Sequence, residues 1–371
     1  MRYVLQGVGA LLVLATVLPF LKSAKWWIRV FDYPRAQIAS AIVVVLLLYA
    51  FVLPGGKLAY LLIVALLLAL CAQLVQIFPY TPLARPQTPK SRMAAPERRL
   101  RIMLANVLMH NREADGLLAL VGKVEPDLLL AVETDDWWDR QLARLEPAYP
   151  HAMRCPLPNT YGMHLFSKFE LRNAELRFLV EPDVPSVLTE VCLRSGDWIA
   201  FWGVHPRPPR PAQDTEERDA ELLIVGREAR QAPLPAVVGG DLNDVAWSHT
   251  TRLFQRLSGL LDPRVGRGLY ATFPARFPCL RWPLDHLFHG ASFTLSDLAR
   301  LEGFGSDHLP ILVELTLEPG AASAADAPVP APGDRKEAVR KILNGIPSGA
   351  RARLRHVLDE GRRRARRRRP Q

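Results

Sequence analysis

The chain has 371 residues, 47 Lys and Arg against 37 Asp and Glu, and a formal net charge of +10. That length holds one large domain or two ordinary ones with a full hydrophobic core. Four cysteines exclude a disulfide-stapled miniprotein, and 49% hydrophobic residues without a glycine period exclude a disordered or collagen-like chain. The charge is unevenly spread. Residues 334–371 carry 14 basic and 4 acidic side chains, the whole +10, whereas residues 102–333 carry 21 basic and 31 acidic ones. A nucleic-acid or anionic-membrane reading of the charge therefore attaches to the flanks, around an acidic centre.

In chain order, three apolar runs come first, over 4–21, 37–53 and 58–78, none with a charged side chain. Each has about the 20 residues that a helix needs to span a bilayer core, so residues 1–78 are expected to form a membrane anchor of three transmembrane helices. Lys22, Lys25, Arg29 and Arg35 lie between the first two runs, and Arg85, Lys90, Arg92, Arg98, Arg99 and Arg101 follow the third. The positive-inside bias then puts both segments on the cytoplasmic side of a multi-pass, bacterial-type inner-membrane protein. Residues 79–99 are basic and Pro-rich and read as a linker.

From residue 100 the patterning becomes that of a globular domain ending near 318. Strands are expected at 101–108, 127–132, 161–167, 187–193, 198–204, 234–239, 284–289 and 310–317, with helices at 114–124, 136–145, 214–231 and 247–258. Alternating strands and helices imply an α/β or α+β layered domain with two sheets. Residues 319–371 read as a disordered Ala/Pro linker and an Arg-rich tail, in which 335–360 also has the spacing of a basic amphipathic helix.

Within 100–318, polar residues recur where apolar strands stop: Asn106, Glu133, His205, Asp241 with Asn243, Asp285 with His286, and Asp307 with His308. One strand-end Asn or Asp usually serves a turn, but six successive strand ends so marked point to a site. Carboxylate and amide oxygens, without Cys/His pairs at zinc spacing, suit a hard cation, Mg2+ or Mn2+. No Walker A loop and no GxSxG elbow is present, which disfavours nucleotide-driven and serine-hydrolase chemistry. His286 is expected to face away from the site, and Arg207 and Arg210 in HPRPPRP are candidate phosphate contacts.

The motifs AN at 105–106, VE at 132–133, GVH at 203–205, GDLN at 240–243, LDH at 284–286 and SDHLPI at 306–311 resemble the endonuclease/exonuclease/phosphatase superfamily of metal-dependent phosphoesterases. The resemblance implies a four-layer α/β/β/α sandwich. It also implies Glu133 and Asn106 as metal-site residues, Asp241 as the group that orients or deprotonates the attacking water, and Asn243 as a phosphate-oxygen contact. His308 with Asp285 would be the family's His–Asp pair, Asp307 would orient the metal's water shell, and His205 would touch the phosphate or protonate the leaving oxygen. His164 stands where relatives often carry a small apolar residue.

The expected function is a membrane-anchored, Mg2+-dependent hydrolase of a phosphomono- or diester, with a lipid-linked phosphate among the candidate substrates and anionic lipids as a partner of the basic flanks. A nuclease using the Arg-rich tail is the first alternative, weakened by the acidic centre because duplex binding rests on Lys and Arg. A catalytically dead, membrane-tethered scaffold is the second, weakened by the complete set of site residues. Oligomeric state has no sequence signal.

Overall fold

A computed structural model describes residues 2–52, 56–92, 95–319 and 327–347. The chain opens with helices α1 (Arg2–Val17), α2 (Trp26–Arg29), α3 (Arg35–Val52) and α4 (Lys57–Ile77). Leu5, Ile42, Tyr49, Ala59 and Leu66 form the core shared by α1, α3 and α4. Their outer faces are apolar as well, with Leu47, Leu61 and Leu68 exposed. Helices apolar on every side need lipid or protein around them. Two stretches, Tyr3–Leu21 and Lys57–Tyr80, are long and apolar enough to cross a membrane, and only 22% of each is buried inside the molecule. The middle run reaches that length only when α3 is joined to Trp26–Asp32 across a 72° bend. The bend falls at Tyr33 and Pro34, where proline removes a backbone donor.

The stretch expected as a linker is packed against the domain. Tyr80 is buried against Trp247, Thr88 Oγ1 lies 2.9 Å from His289 Nε2, and the Ser91 amide donates to the Leu295 carbonyl at 2.8 Å.

The domain then runs β1 (Arg99–Asn106), α5 (Ala114–Val124), β2 (Leu128–Val132), α6 (Asp136–Leu142), β3 (His151–Cys155), β4 (Met163–Ser167), β5 (Leu171–Arg177), β6 (Ser186–Cys192), β7 (Trp198–Val204), α7 (Glu216–Gln231), β8 (Ala236–Asp241), α8 (His249–Ser258), β9 (Asp285–His289), β10 (Phe293–Arg300) and β11 (Ile311–Leu317). One sheet has the order β10-β11-β1-β2-β4-β3 and the other β5-β6-β7-β8-β9. Side chains alternate across each strand, so both faces of a central strand are committed. Ile102, Leu104, Leu128 and Leu130 point into the seam between the sheets with Phe201, Val237 and Leu287. Met103, Ala105, Leu129 and Ala131 point outward under α5 and α6. Trp202, Val204, Val238 and Phe288 lie under α7 and α8. The result is the expected helix–sheet–sheet–helix sandwich.

Residues 319–371 are not wholly disordered. Helix α9 (Asp334–Gly345) docks on α7, placing Ala338 and Ile342 in the core beside Leu222 and Leu253. Lys341 Nζ donates to Asp219 at 2.6 Å, and Arg256 pairs with Asp334 at 2.7 Å. An apolar stripe within a charged segment supplies enough burial to order one helix. The Arg-rich run 362–369 lies outside the described residues.

Ile342 is 1% exposed. Ile342→Ala should cost about 2–5 kcal/mol, read as a lower Tm of the full chain in detergent and faster proteolysis near residue 333. An unchanged Tm would show that α9 contributes no packing.

Candidate active site

Topology explains why residues distant in sequence meet. β1 and β2 are parallel, pairing Asn106 with Val132, and β7 and β8 are parallel, pairing Val204 with Gly240. Their C-terminal ends therefore open on the same edge. Antiparallel β9 and β11 begin there, pairing Asp285 with Asp241 and Ile311 with Leu104. Asn106, Glu133, His205, Asp241, Asn243, Asp285, Asp307 and His308 all follow from those strand ends.

Asp241 is the hub. Its Oδ2 accepts from Asn106 Nδ2 at 3.1 Å and lies 3.6 Å from His308 Nε2 and 3.8 Å from His205 Nε2. Its Oδ1 accepts from the Asn243 amide at 2.9 Å. Asn106 Nδ2 also donates to Glu133 Oε1 at 2.8 Å. His308 Nδ1 donates to Asp285 Oδ2 at 2.8 Å, and its ring packs 4.8 Å from Phe273. Asp307 Oδ1 and His205 Nδ1 are buried without a hydrogen-bond partner among the described residues.

The endonuclease/exonuclease/phosphatase family matches residues 103–308, which carry this whole constellation. The chain belongs to that family. Family members are metal-dependent phosphoester hydrolases, and the chain is an enzyme of that class acting on a phosphorylated substrate. Among solved structures, a humanized zebrafish (D. rerio) TDP2 is 18% identical with a TM-score of 0.50, covering 59% of this chain and 99% of its own. An endonuclease/exonuclease/phosphatase protein of Beutenbergia cavernae is 19% identical over 60% of this chain and 72% of its own, with a TM-score of 0.49. The human nocturnin catalytic domain is 19% identical over 59% and 94%, with a TM-score of 0.48. These likenesses concern the fold. The curated proteins contain no match.

The electrostatics separate the two site histidines. Burial opposes a charge on His308, but Asp285 and Asp241 outweigh it and push its pKa up to about 10, so it is an imidazolium at neutral pH. Burial dominates at His205 and holds it below the ordinary histidine range, hence neutral. Burial also raises Glu133, against the Asn106 hydrogen bond, and raises Asp241, against the attraction of His308. Asp241, Asp285 and His308 present ligand atoms within 4.8 Å of one another, a group that could hold a metal. Both ring nitrogens of His308 face carboxylates there, which is the arrangement of a clamped imidazolium.

Two site residues sit in the left-handed region, Glu133 with φ +64° and Asn243 with φ +49°. Such conformations persist only where surroundings hold them. Around Glu133, a Cβ on Gly162 would stand 1.7 Å from the Thr134 carbonyl oxygen, so only glycine lets the strand approach. Around Asn243, its carbonyl accepts from Arg218 Nη1 and from Tyr33 Oη, each at 2.7 Å. Tyr33 comes from the bend between α2 and α3, so the N-terminal helical segment itself supports the site. Trp247 Nε1 reinforces this by donating to the Asp32 carbonyl at 2.7 Å. Neither Tyr33 nor Arg218 carries a sequence signal for this role.

Other expectations sort as follows. His286 faces away, bonded to Arg264 at 2.6 Å and to the Asp244 carbonyl at 2.8 Å. His164 lies behind the Glu133 turn, bridging Thr134 and Asp139 at 2.7 and 2.8 Å. Arg207 is no free phosphate contact, because Glu181 and Asp183 bind it at 2.6 and 2.7 Å. Arg210 remains exposed at the rim.

Histidine titrates near 6.5 when unfolded. With a folded value of about 10, the charge on His308 stabilises the fold fully below about pH 6.5, and that contribution fades as pH rises towards 10. NMR of labelled histidine should show His308 protonated at pH 7.5. Asp285→Asn should move its midpoint down by about 1–3 on the pH scale. A wild-type midpoint at or below 6.5 would contradict the clamp.

Proposed function

We propose that the protein is a membrane-anchored, divalent-cation-dependent phosphoesterase that hydrolyses a phosphomono- or diester with water as nucleophile. The observation carrying this reading is a surplus of carboxylate: among the described residues, Glu133, Asp241, Asp285 and Asp307 converge around one cationic side chain, His308, and Asp307 Oδ1 is buried without a hydrogen-bond partner. Buried charge of one sign calls for a counter-ion, and an all-oxygen donor set suits Mg2+ or Mn2+. Glu133 and Asn106 would hold the ion, with Asp307 orienting its water shell. When bound, the ion supplies Lewis-acid stabilisation of charge on the phosphoryl group.

The remaining roles belong to the chain. Asp241, whose carboxyl pKa burial raises above its ordinary value, orients the attacking water and takes its proton. The new P–O bond forms as the ester P–O bond breaks, and the departing oxygen takes a proton from solvent water and leaves as the alcohol. Asn243 Nδ2 spends one hydrogen on the Pro206 carbonyl at 3.0 Å and keeps the second for a phosphate oxygen. His205, neutral and with an unpartnered Nδ1, suits contact with the phosphate over proton delivery. The imidazolium of His308, oriented by Asp285, faces the negative charge that develops in the transition state.

Anchoring rests on the two helices long and apolar enough to span. The loop between α1 and α3 and the catalytic domain share one side, since Lys25 pairs with Asp214 at 2.8 Å and the Thr215 amide donates to the Ala24 carbonyl at 2.9 Å. The positive-inside bias of the flanking Lys and Arg residues supports a cytoplasmic placement of that side.

The full chain in detergent should release phosphate or alcohol from a panel of phosphomonoesters, phosphodiesters, phospholipids and oligonucleotides with Mg2+ or Mn2+, and lose activity with EDTA. His308→Ala should lower kcat by about 100-fold or more while far-UV circular dichroism still shows the folded chain. Turnover that survives EDTA, or an active His308→Ala, would overturn the reading. Preference for oligonucleotides would favour the nuclease alternative.

A further inference from the structure

The loop 274–282 joins the catalytic centre to the head of α3. Phe273 and Trp282 exchange backbone hydrogen bonds and close the loop at its neck. On the inner side, Phe273 packs against His308, and the Ala275 amide donates to the Asp307 carbonyl at 2.7 Å. On the outer side, Trp282 meets the Tyr33 ring edge-on at 5.7 Å, and Gln37, in the first turn of α3, donates to the Cys279 carbonyl at 2.9 Å. Beyond the neck, residues 276–280 are exposed, and two of them are large and apolar: Phe277 is 57% exposed and Leu280 48%. Trp27 and Val30, in the turn that enters α3, are each 48% exposed. Arg276 and Arg281 flank the tip.

Large apolar side chains at a loop tip gain nothing from water, and aromatic residues with arginines favour the headgroup layer of a bilayer. The loop sits where the apolar surface of α3 begins, so a bilayer around that helix brings the headgroup layer to Phe277 and Leu280. We infer that this loop immerses its tip in the bilayer surface and that the site takes a phosphoester resident in the membrane, which slides along the neck to His308. The inference rests on the phosphoesterase reading for its chemistry and on the contact between Gln37 and Cys279 for its place.

The full chain, reconstituted in phosphatidylcholine/phosphatidylglycerol vesicles, tests it in two ways. Phe277→Ser with Leu280→Ser should lower kcat/KM on a phospholipid embedded in the vesicles by about tenfold or more, while hydrolysis of soluble bis-p-nitrophenyl phosphate changes less than about twofold. Equal loss on both esters, or no loss on the lipid, would overturn it. Independently, an NBD probe on Phe277→Cys, in a background without other cysteines, should be quenched by headgroup-proximal doxyl lipid and shielded from iodide. A probe fully open to iodide would place the tip in water and overturn the inference, leaving a protein partner as the occupant of the tip. If the probe lies in lipid but neither ester is cleaved, the phosphoesterase reading fails and the seating of the loop stands.

Discussion

The structure turns on the concentration of carboxylate at one edge of a sandwich where water is scarce. Asp241 and Asp285 are each 1% exposed, and Glu133 and Asp307 flank them half-buried. Isolated buried carboxylates are costly, and left alone they take up protons. Here they are held by a short list of donors: the amide of Asn106, the backbone of Asn243 and the two nitrogens of His308. The same pressure that charges His308 favours a hard cation, so the imidazolium and the proposed metal preference share one cause. His205, facing the same carboxylate at 3.8 Å, stays neutral because burial there wins. Two histidines on one aspartate thus divide the labour by environment.

What the sequence made legible follows the same logic of burial. Strands covered on both faces, such as LLLAV in β2 and WIAFWGV in β7, are continuous apolar runs and are read directly. The three strands that patterning does not reveal, β3, β5 and β10, are all sheet edges. Their sequences, HAMRC, LRNAELR and FTLSDLAR, carry charges because an edge faces solvent and must resist further pairing. The convergence of these residues was legible because each stands at one end of an apolar strand on the same edge: Asn106, Glu133, His205 and Asp241 where a strand stops, Asp285, Asp307 and His308 where one starts. Tyr33 and Arg218 were not, since their role comes from contacts with a backbone carbonyl 210 and 25 residues away. The helix α9 was half-legible: its spacing was visible, but Pro/Ala and Arg-rich neighbours made the whole segment read as disordered.

The N-terminal helices and the catalytic domain form one mechanical unit. Residues 79–92 strap the domain along β10, and the bend before α3 props the strained Asn243 turn. A backbone held in the left-handed region needs such support. The net +10 therefore describes neither the cleft nor the sandwich: the centre is acidic, and the basic residues lie on the segments that leave the apolar helices and on the tail.

The central claim is that the carboxylate surplus binds a divalent cation at Glu133 beside a charged His308. Electron paramagnetic resonance of Mn2+ titrated into the full chain addresses it without reference to any substrate. The account predicts one tight site whose affinity falls about 10- to 100-fold in Glu133→Gln and persists in His308→Ala. Binding unchanged by Glu133→Gln, or abolished by His308→Ala alone, would place the cation at the Asp241, Asp285 and His308 group and contradict it.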